Sequence, residues 1–332
     1  MKIIVLGAGA LGSIIGAHLV RAGEEVIFMA RGHRAAFLQH HGIVITGLVD
    51  FTVPVTVTTH PHEVQAADAL FVTVKTYDTE PALASLRHLR VPSVLSVQNG
   101  VLKNEQLAHI FGWERVLGAA AFVSGELLPD GPVRFTVNGH LALGELPEGT
   151  SERVHVLAAT LLRAGLRTEV SPHIRTVEWS KYLLVAGGMP LAGLMRLATA
   201  QFLSDPDGAL LMARLIQELG QLAARLGIPL ADTGPLPIQT LCRESLAEAV
   251  AQVRHLGARR MAQAPTHKMS TLQDLEQGRR LEVEELLGYA VRKGAELDVP
   301  LPTVDTCYRL LAGVNRSLPP QEQVHVQAAS QV

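Results

Sequence analysis

Residues 7–12 read Gly-Ala-Gly-Ala-Leu-Gly, a GxGxxG run between a short β-rich stretch, Lys2–Leu6, and a helical pattern over Leu11–Ala22. In that setting each glycine has a task. Gly7 permits a tight turn, Gly9 lets the backbone approach a pyrophosphate, and Gly12 lets helix and strand pack closely. The amino end of the helix, reached through Ala8, Ala10 and Leu11, then turns free N–H groups and a partial positive charge toward phosphate. The chemistry indicated is dinucleotide binding.

The end of the next strand pattern, Glu25–Met29, decides which dinucleotide. An NAD site usually carries an acid there to bond the ribose hydroxyls. This chain reads Ala30-Arg31-Gly32-His33-Arg34, with no acid and two arginines. A guanidinium at Arg31, with Arg34 nearby, suits the 2′-phosphate of NADP. Two further polar positions follow predicted strands: Lys75 after Phe71–Val74, and Gln98-Asn99-Gly100 after Ser93–Val97. In an open α/β sheet the carboxyl ends of strands line the ligand crevice, so both positions are expected to face cofactor or substrate.

The elements that position these residues change character along the chain. The first half alternates strands and helices. Strands are expected at Lys2–Leu6, Glu25–Met29, within 43–57, at Ala69–Val74, Ser93–Val97, Val116–Val123, Val133–Thr136 and His140–Leu143, with helices at Leu11–Ala22, Arg34–His40, Glu80–Leu89 and Asn104–Phe111. The fully apolar 69–74 run fits a strand covered on both faces, and the alternation predicts a doubly wound Rossmann sheet. After Thr168–Val170 helical patterns take over: Ile174–Met195, a helix capped by Asp205-Pro206 and stopped near Gly227, then Thr240–Leu256, Thr271–Leu297 and Pro302–Ala312. The expected organisation is α/β: a Rossmann domain over 1–170, an all-α substrate or dimerisation domain over 171–320, and a polar, frayed tail over 321–332.

Composition sets the outer bounds. The 332 residues allow about two domains. The chain is 48% hydrophobic and 18% charged, with net charge −2. That balance argues against disorder, and against nucleic acid or an anionic membrane as partner. Two isolated cysteines, Cys242 and Cys307, fit a reducing, cytoplasmic setting. The scattered histidines lack metal-ligand spacing. The apolar Ile3–Val20 stretch imitates a signal peptide, but Gly7, Gly9, Gly12 and Gly16 give it another purpose.

Beyond these readings, the chain resembles the ketopantoate reductase (2-dehydropantoate 2-reductase) family along nearly its full length. The matching pieces are Gly7–Gly12, Ala30-Arg31-Gly32, Val72–Lys75, Gln98-Asn99-Gly100, Trp179-Ser180-Lys181-Tyr182-Leu183, Pro190-Leu191, and Ser270–Asp274 followed by Gly278-Arg279 and Glu282. The resemblance implies NADPH-dependent reduction of a 2-keto acid carbonyl in a cleft between the two domains: 2-dehydropantoate to pantoate, a step of pantothenate biosynthesis. It makes Lys181 the general acid, with Glu282 holding Lys181 or contacting the nicotinamide ribose. Asn99 orients the lysine and contacts the cofactor, and Lys75 and Ser270 meet the substrate or the cofactor side. The partner implied is a small keto acid, with a homodimer as the assembly to look for. The chain departs from the family pattern at Val185, Met189 and His267, where asparagines are expected, and at Asp78, where glutamine is common. Losing substrate amide partners changes discrimination strongly. The same chemistry on another keto or hydroxy acid, or a noncatalytic NADP-binding sensor, are the alternatives.

Overall fold

The computed structural model describes residues 1–319; the tail expected over 321–332 lies outside them. The N-terminal part is one curled sheet of ten strands wrapped by helices. In chain order the strands are β1 (Lys2–Leu6), β2 (Glu25–Met29), β3 (Ile43–Gly47), β4 (Phe51–Val53), β5 (Thr56–Thr58), β6 (Ala69–Val72), β7 (Ser93–Ser96), β8 (Val116–Leu127), β9 (Val133–Glu145) and β10 (Thr168–Val170). The helices among them are α1 (Ala10–Arg21), α2 (Gly32–His41), α3 (Thr79–Ala84), α4 (Leu102–Phe111) and α5 (Glu152–Arg163).

Strands β5-β2-β1-β6-β7-β8 run parallel, with β1 at the centre. β9 returns antiparallel to β8 and carries the sheet on to β3 and β4, with β10 also paired to β9. Every residue of β6 and β7 is buried, as two-sided cover of a parallel sheet demands. One face packs under α1, α2 and α5 and the other under α3 and α4, giving two apolar layers. Chain order reverses beside β1, so the ends of β1, β2, β6 and β7 open onto one crevice.

The helical part comprises α6 (Ile174–Met195), α7 (Thr199–Ser204), α8 (Pro206–Arg225), α9 (Ile238–Arg243), α10 (Leu246–Gln263), α11 (Ser270–Glu276), α12 (Tyr289–Glu296) and α13 (Pro302–Ser317), around a single apolar core. Asp205 caps α8, accepting from the Asp207 and Gly208 N–H groups, and Pro206 opens the helix. Among the described residues no helix is long and apolar enough to cross a membrane.

Four local expectations differ from the structure. The two short strands at 133–136 and 140–143 are one strand, β9, which runs through Gly139 beside a register shift at Phe122. Helix α5 stands where no element is expected, capped by the Ser151 hydroxyl and buried through Val154, Leu157, Ala158 and Leu161. The helix at 240–256 is broken before Leu246, where Ser245 and Glu248 form a reciprocal cap that starts α10. The helix at 271–297 ends at Glu276. Gly278 turns left-handed (φ 63°), and helical structure resumes as a π turn over Glu284–Gly288. That interruption allows Glu282 to leave the helical part and meet the sheet.

Candidate active site

The phosphate loop is shaped by contacts only glycine permits. Gly7 has φ 100°, and a Cβ there would stand 2.8 Å from the Val74 backbone nitrogen. A Cβ on Gly12 would overlap the Gly7 carbonyl oxygen and the Thr73 hydroxyl. Gly9, by contrast, precedes α1 in extended backbone with no side-chain cap, and a Cβ there would meet nothing within 4 Å. The uncapped helix end therefore faces open space, and the residues present fit a pyrophosphate.

The two arginines after β2 separate. Arg31 is exposed and sits at the N-cap of α2, where a ribose phosphate could reach it. Arg34 turns inward. Its Nε donates to the Ala8 carbonyl (2.7 Å), one Nη to the Gly131 carbonyl (2.6 Å) and the other to the Ser13 hydroxyl (2.9 Å). With its fork used on backbone and hydroxyl oxygens, Arg34 braces the phosphate loop. The expectation of a second phosphate-binding guanidinium there is corrected.

The loops after β6 and β7 are knitted together by Gln98. Its amide donates to the Val74 carbonyl (2.6 Å) and the Thr79 hydroxyl (2.8 Å) and accepts from Ser96 (2.7 Å). Asn99 stands half-buried in the same bend. Lys75 reaches across to the helical part, where its amine is ion-paired with Asp274 and lies 3.3 Å from Glu282. The second Glu282 oxygen accepts the Thr76 N–H at 2.9 Å. Burial works against the Lys75 charge, but Glu282 and Asp274 outweigh it and hold the ammonium above its ordinary range. Glu282 thus pairs with Lys75 and Thr76, and among the described residues no hydrogen bond joins it to Lys181. Ser270 opens α11, one turn ahead of Asp274.

Lys181 lies in the first half of α6, half-buried. Its amine stands 5.9 Å from the centre of the Phe122 ring and, among the described residues, closes no ion pair. It faces a small cavity of about 10 Å³ lined by Gln98, Lys103, Glu178, Tyr182 and Val185 among others. Burial and the nearby Lys103 push its amine down to about 7, against weaker support from Glu178 and Glu282. An amine titrating near neutrality beside an apolar ring is suited to giving a proton to a developing alkoxide.

The remaining departures also take places. Val185, one turn after Lys181, lines the cavity, and Met189 is buried in the helical core. His267 shares a 3.0 Å contact with the Thr199 hydroxyl. Asp78 is half-buried in the turn after Lys75, and burial pushes its carboxyl up against the pull of Arg31 and Arg280. Sequence reasoning passed over Lys103, Glu178, Phe122 and the partnership of Asp274 with Lys75. Asp274 stands within the Ser270–Asp274 match and Glu178 three residues before Lys181, whereas Lys103 and Phe122 left no such trace.

Both halves of the chain match known proteins. The family described as "Ketopantoate reductase PanE/ApbA" matches residues 3–148, and "Ketopantoate reductase PanE/ApbA C terminal" matches residues 173–315. The 2-dehydropantoate 2-reductase of Archaeoglobus fulgidus is 31% identical over 317 residues, 96% of this chain and 99% of that one. A solved PanE/ApbA family ketopantoate reductase from Ralstonia eutropha superimposes with TM-score 0.79 at 28% identity, covering 95% of this chain and 99% of the other. D-mandelate dehydrogenase, solved with NADH and anilino(oxo)acetate, gives TM-score 0.84 at 21% identity over 96% and 99%, a likeness of fold alone. Matched over both halves and almost end to end, this chain belongs to the ketopantoate reductase family and is an oxidoreductase.

Proposed function

We propose that this enzyme reduces the carbonyl of a 2-keto acid with NADPH, converting 2-dehydropantoate to pantoate. In this reading residues 1–170 bind the cofactor, residues 171–320 close the substrate side, and the enzyme works in the cytoplasm. The observation that carries it is the Lys181 amine: half-buried, without an ion-pair partner among the described residues, and lining one cavity with Gln98 and Gly100 of the bend after β7. The loop over residues 7–12 would hold a nicotinamide dinucleotide, which when bound would supply the hydride.

Everything else falls to the protein. Charge builds on the substrate oxygen as the carbonyl is attacked, and an ammonium at Lys181 stabilises that charge and then delivers its proton. Asn99, Ser270 and Lys75 line the cofactor and substrate sides. Glu282, fixed by Lys75 and the Thr76 N–H, holds the two halves at a constant spacing over the reacting atoms. The reading is tested by following NADPH oxidation with a panel of 2-keto acids. Tight NADPH binding without turnover of any of them would leave only a sensor role.

Arg31 carries the cofactor choice. In Arg31→Asp the NADPH Kd should rise by about tenfold or more, the scale of one charge-assisted phosphate contact, while NADH binding changes little. Fluorescence titration of both cofactors checks this; an unaltered preference places the 2′-phosphate elsewhere.

A second reading of the substrate has its own support. Phe122, 5.9 Å from the Lys181 amine, and Val185, one helical turn on, give that amine an apolar wall beside the polar cavity. Such a wall favours a 2-keto acid with a branched or aromatic side chain over the hydroxylated pantoyl group. Under this reading kcat/KM should be higher for the apolar acid, and Val185→Asn should move the ratio toward 2-dehydropantoate. Equal ratios in the two proteins would reject it.

A further inference from the structure

Lys103, in the first turn of α4, is one of the most buried charges in the described structure, at 3% exposure. Its amine is surrounded by oxygens: the carbonyls of Ser96 (2.8 Å), Gln98 (3.3 Å) and Ala119 (2.5 Å), and Glu178 Oε1 at 3.2 Å. Burial works against the Lys103 charge and Glu178 supports it, but the three carbonyls accept one hydrogen bond for each proton of an ammonium, where a neutral amine has only two to give. The shell therefore selects the ammonium. Glu178 is equally buried and has only donors around it, taking the Ala119 N–H on Oε1 (2.9 Å) and the Asn104 amide on Oε2 (2.7 Å) beside Lys103. That shell selects the carboxylate. The two form a fixed charge pair in a low-dielectric interior, where removing either partner is costly.

The pair shares a cavity with Lys181. Lys103, Glu178 and Lys181 all line the same space of about 10 Å³, and Glu178 lies one helical turn before Lys181 on α6. We propose that Lys103 and Glu178 are positioning residues for proton transfer: a buried pair whose ammonium repels, and whose carboxylate attracts, the proton on Lys181. The charged groups acting on Lys181 are Lys103 from α4, Glu178 from its own helix and Glu282 from the segment after α11. Of these Lys103 has the strongest influence and opposes the charge, in keeping with an amine poised near neutrality. The inference rests on the reading of Lys181 as proton donor only for its catalytic consequence.

The two halves of the pair should act with opposite sign. Competitive labelling of the full-length protein with isotope-coded acetic anhydride across pH, read by mass spectrometry, gives the midpoint of the Lys181 amine without any turnover. In Lys103→Met that midpoint should rise by about one pH unit, the usual scale for losing a like charge nearby. In Glu178→Gln it should fall by a similar amount. The glutamine variant is the gentler one, because among the described residues the Asn104 side-chain Oδ1 has no partner and the amide can rotate to accept from the new one. It decides alone if Lys103→Met does not fold, since loosening of the site would rehydrate Lys181 and move its midpoint up. A Glu178→Gln midpoint that stays or rises overturns the proposal. If the midpoints split as expected while the pH profile of kcat does not follow, the pair still sets the Lys181 proton and the donor role of Lys181 is what fails.

Discussion

Replacing Lys181 by alanine should lower kcat by about 10²–10⁴, the range general acid catalysis contributes, and leave the NADPH Kd within about threefold. The asymmetry follows from when the amine acts. It meets charge that exists only as the carbonyl is reduced, and its cavity is lined by no residue of the loop suited to phosphate. The pH dependence gives a second check. A donor must be protonated, and the Lys181 amine is pushed down to about 7. Wild-type kcat for reduction should therefore be full below pH 7 and fall as pH rises through it, whereas the residual rate of Lys181→Ala should be flat there. Steady-state rates from pH 5.5 to 9, with parallel cofactor titrations, measure both. Unchanged kcat in the variant would remove Lys181 from the chemistry.

Gly12→Val should be the most damaging substitution in the cofactor half, and Gly9→Ala the instructive control. A side chain at position 12 overlaps the Gly7 carbonyl oxygen, which is backbone and cannot swing away, so helix α1 must move off β1. The expected cost is about 1–3 kcal/mol of stability, the usual overpacking range, together with loss of measurable NADPH binding. Position 9 has free space around it, so alanine there leaves the melting temperature unchanged. It still weakens NADPH binding, because the methyl group occupies the approach a pyrophosphate needs. Calorimetric melting and cofactor titration separate the two effects. Equal damage from both substitutions would mean that the loop does not hold the cofactor as argued.

The contrast between these glycines explains what the sequence could reveal. Tight turns, helix caps and fully apolar parallel strands are local, and β1, β2, β7, α6 and the Asp205–Pro206 start of α8 can be read from neighbours a few residues away. The single β9 and the broken 271–297 helix depend on partners far along the chain. Glu282 leaves helical structure where Lys75 and Thr76 are there to receive it. Helix α5 had local signals, a serine cap and apolar residues at helical spacing, but its mixed composition lies between strand patterns. At the site, Arg31 and Lys181 stand out by residue type and family spacing. Lys103 does not: a lysine in a surface-type turn of helix gives no sign that three carbonyls from two strands and their loops will bury it. Arg34 misleads for the same reason, since its partners Ala8 and Gly131 lie far apart in sequence.

Arg34 also bears on how quickly a ligand can engage. By tying the Ala8 carbonyl to the turn at Gly131 and to Ser13, it freezes the loop in its working shape while the chain folds. The entropy of ordering that loop is then settled before any ligand arrives. Association becomes a matter of collision and alignment, and differences in affinity among dinucleotides should be expressed in their departure rates.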